Sequence, residues 1–202
     1  MLVENIEDDI DLRLKDILNY NNYVHKFLIK ETKNYFSNKE YNLLIKRIKI
    51  IKKIKKFNIN HPIRVAYYSF RFLNKNNKEL CLLGLFHNLI EANISNKKLT
   101  QYLDKKTIKI LNSLYVKKEL RWDKNYLKKY YTKLNKSGIL AKKIKCIDKF
   151  DNLFNLKNNP DKIIKKNYLA EIETYIMPLV KKNIPELKNS FNKLLRLNYS
   201  LL

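Results

Sequence analysis

Residues 81–93, "CLLGLFHNLIEAN", decide how this chain is read. Small and apolar residues run up to His87, and Glu91 follows four positions later. The longer stretch "LCLLGLFHNLIEA" is apolar almost all round, which predicts a central buried helix rather than a surface one. Positions i and i+4 of a helix share a face, so His87 and Glu91 are expected to point the same way. A metal-binding helix presents such a pair. Yet the residue after the histidine is Asn88, where a site of this kind would normally want a carboxylate.

Around this stretch the apolar residues keep helical spacing. Val24, Phe27, Leu28 and Tyr35 fall near one helical face. Leu44, Ile45, Ile48, Ile51 and Ile54 line an amphipathic helix with a lysine-rich outer side. "HPIRVAYYSFRFL" opens another helix, with Pro62 near its start, where an amide would be unpaired anyway. Ser95 and Asp104 are expected caps. A long helix is expected from Ile139 to about Leu156. The next, "IIKKNYLAEIETYIMPLVKKN", is kinked or ended at Pro178, and a last helix fills 185–202. Only two Gly and four Pro occur in 202 residues, and no stretch alternates like a strand. The expectation is one all-α domain of about eight to ten helices over 1–202, in which residues 1–20 form an acidic, weakly periodic lead-in.

Composition narrows the function. No run of 18 apolar residues exists, so no membrane span is expected. The start, "MLVENIEDDIDLRL", lacks a basic-then-apolar signal pattern, and a cytoplasmic protein is expected. Cys81 and Cys146 form no CxxC pair and read as buried thiols. The formal net charge is +24. The excess is nearly all Lys, spread over the whole chain, and Lys, Asn and Ile share AT-rich codons. Nucleic-acid recognition favours Arg in a concentrated stripe. A solvated basic surface that attracts anionic ligands, polyphosphorylated nucleotides included, is therefore the expectation over a nucleic-acid face.

Candidate chemistry is spread over three helices: His61 in "NHPIRVA", then His87, Asn88 and Glu91, then Asp148 in "KIKCIDKFDNL". Asp148 and Asn152 repeat the i, i+4 spacing. Imidazoles with carboxylate oxygens suit Mn, Fe, Co or Zn. Singly, each residue is a weak signal: a histidine at a helix start is more often structural, and Asn152 also suits a cap. An aspartate in the apolar run "IKCIDKF" is stranger, because a buried carboxylate needs a partner.

Together, "HPIRVA", "LLGLFHNLIEAN" and "KIKCIDKFDNLFNL", with "KNYLAEIETYIMPLV" as a weaker fourth piece, resemble the HD-domain superfamily. The nearest likeness is the (p)ppGpp hydrolase domain of the RelA/SpoT homologues and its small stand-alone relatives. The resemblance spans about residues 40–180, and nothing like the synthetase domain follows. It implies a divalent metal, Mn2+ above others, held by His61, His87, position 88 and Asp148. It implies that Glu91 activates or orients the attacking water and that Asn152 lies beside the substrate. It places basic residues upstream of the first histidine on the nucleotide, and Lys52 and Lys53 are the nearest match. Lys149 occupies the basic position after the family's aspartate, where it pairs with a carboxylate or touches substrate. A guanosine polyphosphate would be the ligand, and a homo-oligomer is compatible.

Two positions depart from that pattern. Asn88 stands for the aspartate of the HD pair, and Ala92 for an aspartate one turn later. An amide oxygen can still ligate, but the site loses one charge at position 88 and a second nearby. Two further readings therefore stand beside the hydrolase. One is an inactive HD module that binds nucleotide or a protein partner. The other is a helical nucleic-acid-associated protein, supported by net charge alone. Trp122, the one tryptophan, is expected as a core anchor or a substrate-side lid.

Overall fold

In the computed structural model, residues 5–52, 58–73, 78–92 and 94–202 are described. Among them every regular element is a helix: α1 (Ile6–Lys15), α2 (Ile17–Tyr35), α3 (Asn38–Lys52), α4 (Asn60–Tyr68), α5 (Lys78–Phe86), α6 (Asn96–Leu99), α7 (Lys105–Leu114), α8 (Lys124–Asn135), α9 (Ile139–Leu156), α10 (Lys162–Glu171), α11 (Met177–Asn183) and α12 (Lys188–Tyr199). The class is all-α, as the spacing and the scarcity of breakers predict. Ile54, Lys53 and residues 74–77 of the polar turn lie outside the described residues.

Side chains start many of these helices. Asn5, Asp16, Asp104, Asp123 and Asp161 each accept from amides of the first turn, meeting donors that no intrahelical carbonyl can reach. Before α3, Ser37 and Glu40 form a reciprocal box, with Glu40 Oε2 accepting from the Ser37 amide at 2.8 Å. α9 is the spine. Twelve of its residues are buried, and it packs against α4, α5, α7, α8, α11 and α12. One apolar core runs from Ile10 to Leu195. Cys81 and Cys146 are free and buried in it. No helix of the described residues is long and apolar enough to cross a membrane.

Four expectations are corrected. Residues 5–20 are no loose lead-in: α1 and the start of α2 carry Asp9, Ile10, Arg13 and Tyr20, all buried. The central apolar stretch is not one helix through residue 92. α5 stops at Phe86, where the Leu89 amide takes the Phe86 carbonyl in a tighter turn, and residues 87–92 continue as turns. The segment after Ser95 gives one helical turn, α6. The helix does not end at Pro178: a π-helical stretch, Ile172–Ile176, joins α10 to α11, with Pro178 in the first turn of α11 where its missing amide costs little.

One contact positions the site. A Cβ on Gly84 of α5 would lie 2.8 Å from the backbone N and Cα of Ala66 in α4. Only glycine lets the two backbones approach so closely. α4 and α5 thus pack antiparallel, bringing the start of one beside the end of the other.

Candidate metal centre

His61 is the second residue of α4, His87 the first residue past α5, and Asp148 lies midway along α9. The close α4–α5 pairing puts the two imidazoles together over α9. His61 Nε2 is 3.0 Å from His87 Nε2 and 3.3 Å from Asp148 Oδ1, and His87 Nε2 is 3.5 Å from the same oxygen. These three residues form a candidate metal-binding triad.

Each ring is turned by its other nitrogen. His61 Nδ1 lies 2.7 Å from Asp151 Oδ2. An ionised carboxylate only accepts, so Nδ1 carries the hydrogen and Nε2 faces the centre. His87 Nδ1 donates to the Gly84 carbonyl at 2.8 Å, which aims its Nε2 the same way. Such outer contacts commonly orient metal-binding histidines. Asp151 is fully buried and also takes Arg13 Nη1 at 2.6 Å and Arg64 Nε at 2.8 Å. Burial raises the pKa of Asp151, but Arg13, Arg64 and His61 outweigh it and hold the carboxyl well below its usual range. Burial lowers the pKa of His61, while its bonds to Asp148 and Asp151 win and lift it to about 9.

Asp148 spends its oxygens differently. Oδ2 meets Lys145 Nζ at 3.2 Å, and Oδ1 accepts from Asn152 Nδ2 at 2.8 Å while facing both histidines. Burial opposes its charge, but Lys145 and then the histidines keep it ionised, with its pKa well below normal. Two donors sharing a metal at about 2.1 Å each lie about 3.0–3.4 Å apart, so the observed spacings suit adjacent ligands of one ion. The donor chemistry, two imidazoles and a carboxylate, also fits a divalent transition ion. Asn88 lines the same hollow, and its Oδ1 is buried with no hydrogen-bond partner among the described residues. An amide oxygen is among the donors that divalent cations accept.

His61 and Asp148 of the triad line a cavity of about 520 Å³. Asn88, Glu91 and Asn152 line it as well, and so do Lys118, Arg121 and Trp122. The Arg121 guanidinium sits 5.0 Å from the Trp122 ring and 5.3 Å from that of Tyr168, contacts that fix a cation at the wall. Trp122 is thus partly buried against Tyr168 and also part of the lining. A larger hollow of about 740 Å³ between α7, α8 and α9 has lysine as its only titratable lining, whereas the smaller one gathers imidazole, carboxylate and amide groups.

Of the residues singled out from sequence, His61, His87, Asn88, Glu91, Asp148 and Asn152 meet here. His87 and Glu91 do so across successive turns, not along one helix face as expected. Lys149 lines the cavity, but its ammonium is 2.7 Å from Glu171 in a buried pair. Lys52 is exposed at the end of α3 and does not line the cavity, and Lys53 lies outside the described residues. Arg13, Arg64, Lys145 and Asp151 were not anticipated. Asp151 had a readable signal: like Asp148, it lies in an apolar run and therefore needs partners. Compared with known proteins, the chain matches no protein-family model and no curated protein.

Proposed function

We propose that the chain is a metal-dependent phosphohydrolase of HD type that removes the 3′ pyrophosphate of a guanosine polyphosphate, with Mn2+ as its ion, in the cytoplasm. The observation that carries this reading is the convergence of His61, His87 and Asp148, with both Nε2 atoms aimed at one point. A divalent ion held there supplies a water that is a usable hydroxide near neutral pH and polarises a phosphoryl oxygen.

The protein side of the reaction follows from the lining. Asn88 completes the donor set through its free Oδ1. Glu91, on the lining of the same cavity, accepts the proton of the attacking water. Asn152 holds Asp148 Oδ1 in place through its amide hydrogen and lies beside the reacting phosphate. Lys118 and Arg121, from the same lining, hold the polyphosphate, and the N–H fork of Arg121 matches phosphate oxygens. Lys149, committed to Glu171, keeps Glu171 paired and adds little free charge.

One observation favours the alternative, an HD module that binds nucleotide without turnover. Lys145 already pairs with Asp148, the sole carboxylate of the triad, and neither Asn88 nor Ala92 replaces the missing charge. The deciding assay is Mn2+-dependent release of pyrophosphate from ppGpp, with a chelator control and Asp148→Ala alongside. Turnover that needs both the ion and Asp148 supports the hydrolase. Nucleotide binding that is indifferent to chelator, without release, supports the inactive module.

A further inference from the structure

Asp151 does more than balance charge. Arg64, from the same helix as His61, grips both of its oxygens, with Nε to Oδ1 at 2.8 Å and Nη2 to Oδ2 at 3.0 Å. Arg13 arrives from α1, 138 residues away in sequence, with Nη1 on Oδ1 at 2.6 Å and Nη2 on the Asp151 carbonyl at 3.2 Å. Arg13 is itself fixed. Its guanidinium lies 3.9 Å from the centre of the Phe154 ring, and Nη1 also donates to the Tyr68 hydroxyl at 3.1 Å. That hydroxyl in turn donates to the Tyr20 hydroxyl oxygen at 2.7 Å, tying α2 into the network.

We infer that α1 is a working part of the metal centre: Arg13 is a positioning residue that fixes Asp151 and, through it, the His61 ring. This rests on the reading of His61 as a ligand. The geometry supplies the reason. Arg64 ties both oxygens to α4, the helix that carries His61, but makes no bond to the Asp151 main chain. Arg13 bonds both the side chain and the main chain of Asp151 and so pins the carboxylate to the backbone of α9. Oδ2 then stays where the His61 Nδ1–H needs it. A buried network of this kind is rigid only while each member is satisfied. His87 provides the internal contrast, because its Nδ1–H is held by a backbone carbonyl in its own segment and owes nothing to Arg13.

The test compares the two rings by proton-detected nitrogen-15 spectroscopy of the metal-free full chain, wild type against Arg13→Met. The expected result is loss or broadening of the His61 Nδ1–H signal with that of His87 retained. Equal retention of both signals overturns the inference. Should both signals vanish because the chain has not folded, Arg13→Lys is read in the same way. It keeps the charge but loses the second N–H that reaches the Asp151 carbonyl. Loss of both signals in that variant too marks a folding role and also overturns the inference. Equilibrium dialysis with Mn2+ separates the two readings. Wild type that binds no Mn2+ removes the metal-centre reading, while the ring spectra still decide the positioning. Where wild type does bind, Arg13→Met is expected to weaken affinity by about 10–100-fold.

Discussion

The Nε2 atoms of His61 and His87 face each other across 3.0 Å. Two imidazole lone pairs cannot hold that distance without a cation between them, whether a proton or a metal ion. Burial works against charge on His61, yet Asp148 and Asp151 lift its pKa to about 9. At neutral pH the metal-free centre therefore carries a proton where an ion would bind.

That competition predicts a pH dependence. An ion can bind only once His61 has lost its proton, so affinity falls as pH drops below about 9. Apparent Mn2+ affinity is expected to rise about tenfold per unit between pH 7 and 9, then level off, with about one proton released per ion at pH 7. Calorimetry in buffers of different ionisation enthalpy reads both quantities. Affinity that is flat over that range would mean the ion binds elsewhere.

Position 88 offers the second prediction. Asn88 Oδ1 is buried without a partner among the described residues, and cationic Lys145 lines the same cavity. Asn88→Asp adds a negative charge to a lining in which Lys118, Arg121, Lys145 and Lys149 outnumber Glu91 and Asp148. Mn2+ affinity is expected to rise by about tenfold or more, since about 1.4 kcal/mol suffices and charges at contact exceed that even when partly screened. Turnover should rise with it if Glu91 serves as base. Unchanged affinity would show that residue 88 is not a ligand.

Much of this arrangement was legible in the chain, for reasons that differ by residue. α9 begins at Ile139 and ends at Leu156 as expected, because a Gly-containing break precedes it and apolar residues keep its period throughout. His61, His87 and Asp148 stood out because their residue types are costly to bury alone. α1 did not. Its acids read as a solvated run, and what makes Asp9 a core residue is Tyr67, 58 positions away. The end of α5 at Phe86 was hidden for a local reason: no Gly or Pro marks it, and a single tighter turn at Leu89 makes the break. Sequence period reports which face is apolar, but not which hydrogen bond closes a helix.

Gly84 is where packing and chemistry share one residue. Its missing Cβ admits the Ala66 backbone, and its carbonyl holds the His87 ring. In Gly84→Ala the new methyl would lie 2.8 Å from backbone atoms, which no side-chain rotation can relieve. Overpacking of this kind costs about 1–3 kcal/mol. Urea denaturation is expected to show a loss of that size, together with weaker Mn2+ binding as the two histidines are pushed apart. Stability equal to wild type would mean that α4 and α5 are not in such close contact.

Asp9 gives a prediction about stability alone. It is fully buried and accepts from Tyr20 at 2.5 Å and Tyr67 at 2.7 Å. Burial dominates, outweighing those bonds and Arg13, and lifts its pKa from 3.8 to about 6. A folded pKa above the unfolded one means the fold favours the neutral acid. The associated stability is complete below about pH 3.8 and is lost as pH rises through about 6. A shift of that size corresponds to about 3 kcal/mol, most of it between pH 4 and 7. Asp9→Asn keeps one accepting oxygen and cannot ionise. The stability of wild type relative to this variant is therefore expected to fall by about 2–3 kcal/mol from pH 4 to pH 7. His61 and the other titrating groups are common to both proteins and largely cancel in the difference. Urea denaturation of the pair at several pH values measures it. Parallel pH profiles would show that Asp9 is ionised throughout and that α1 docks onto the core as a charged rather than a neutral partner.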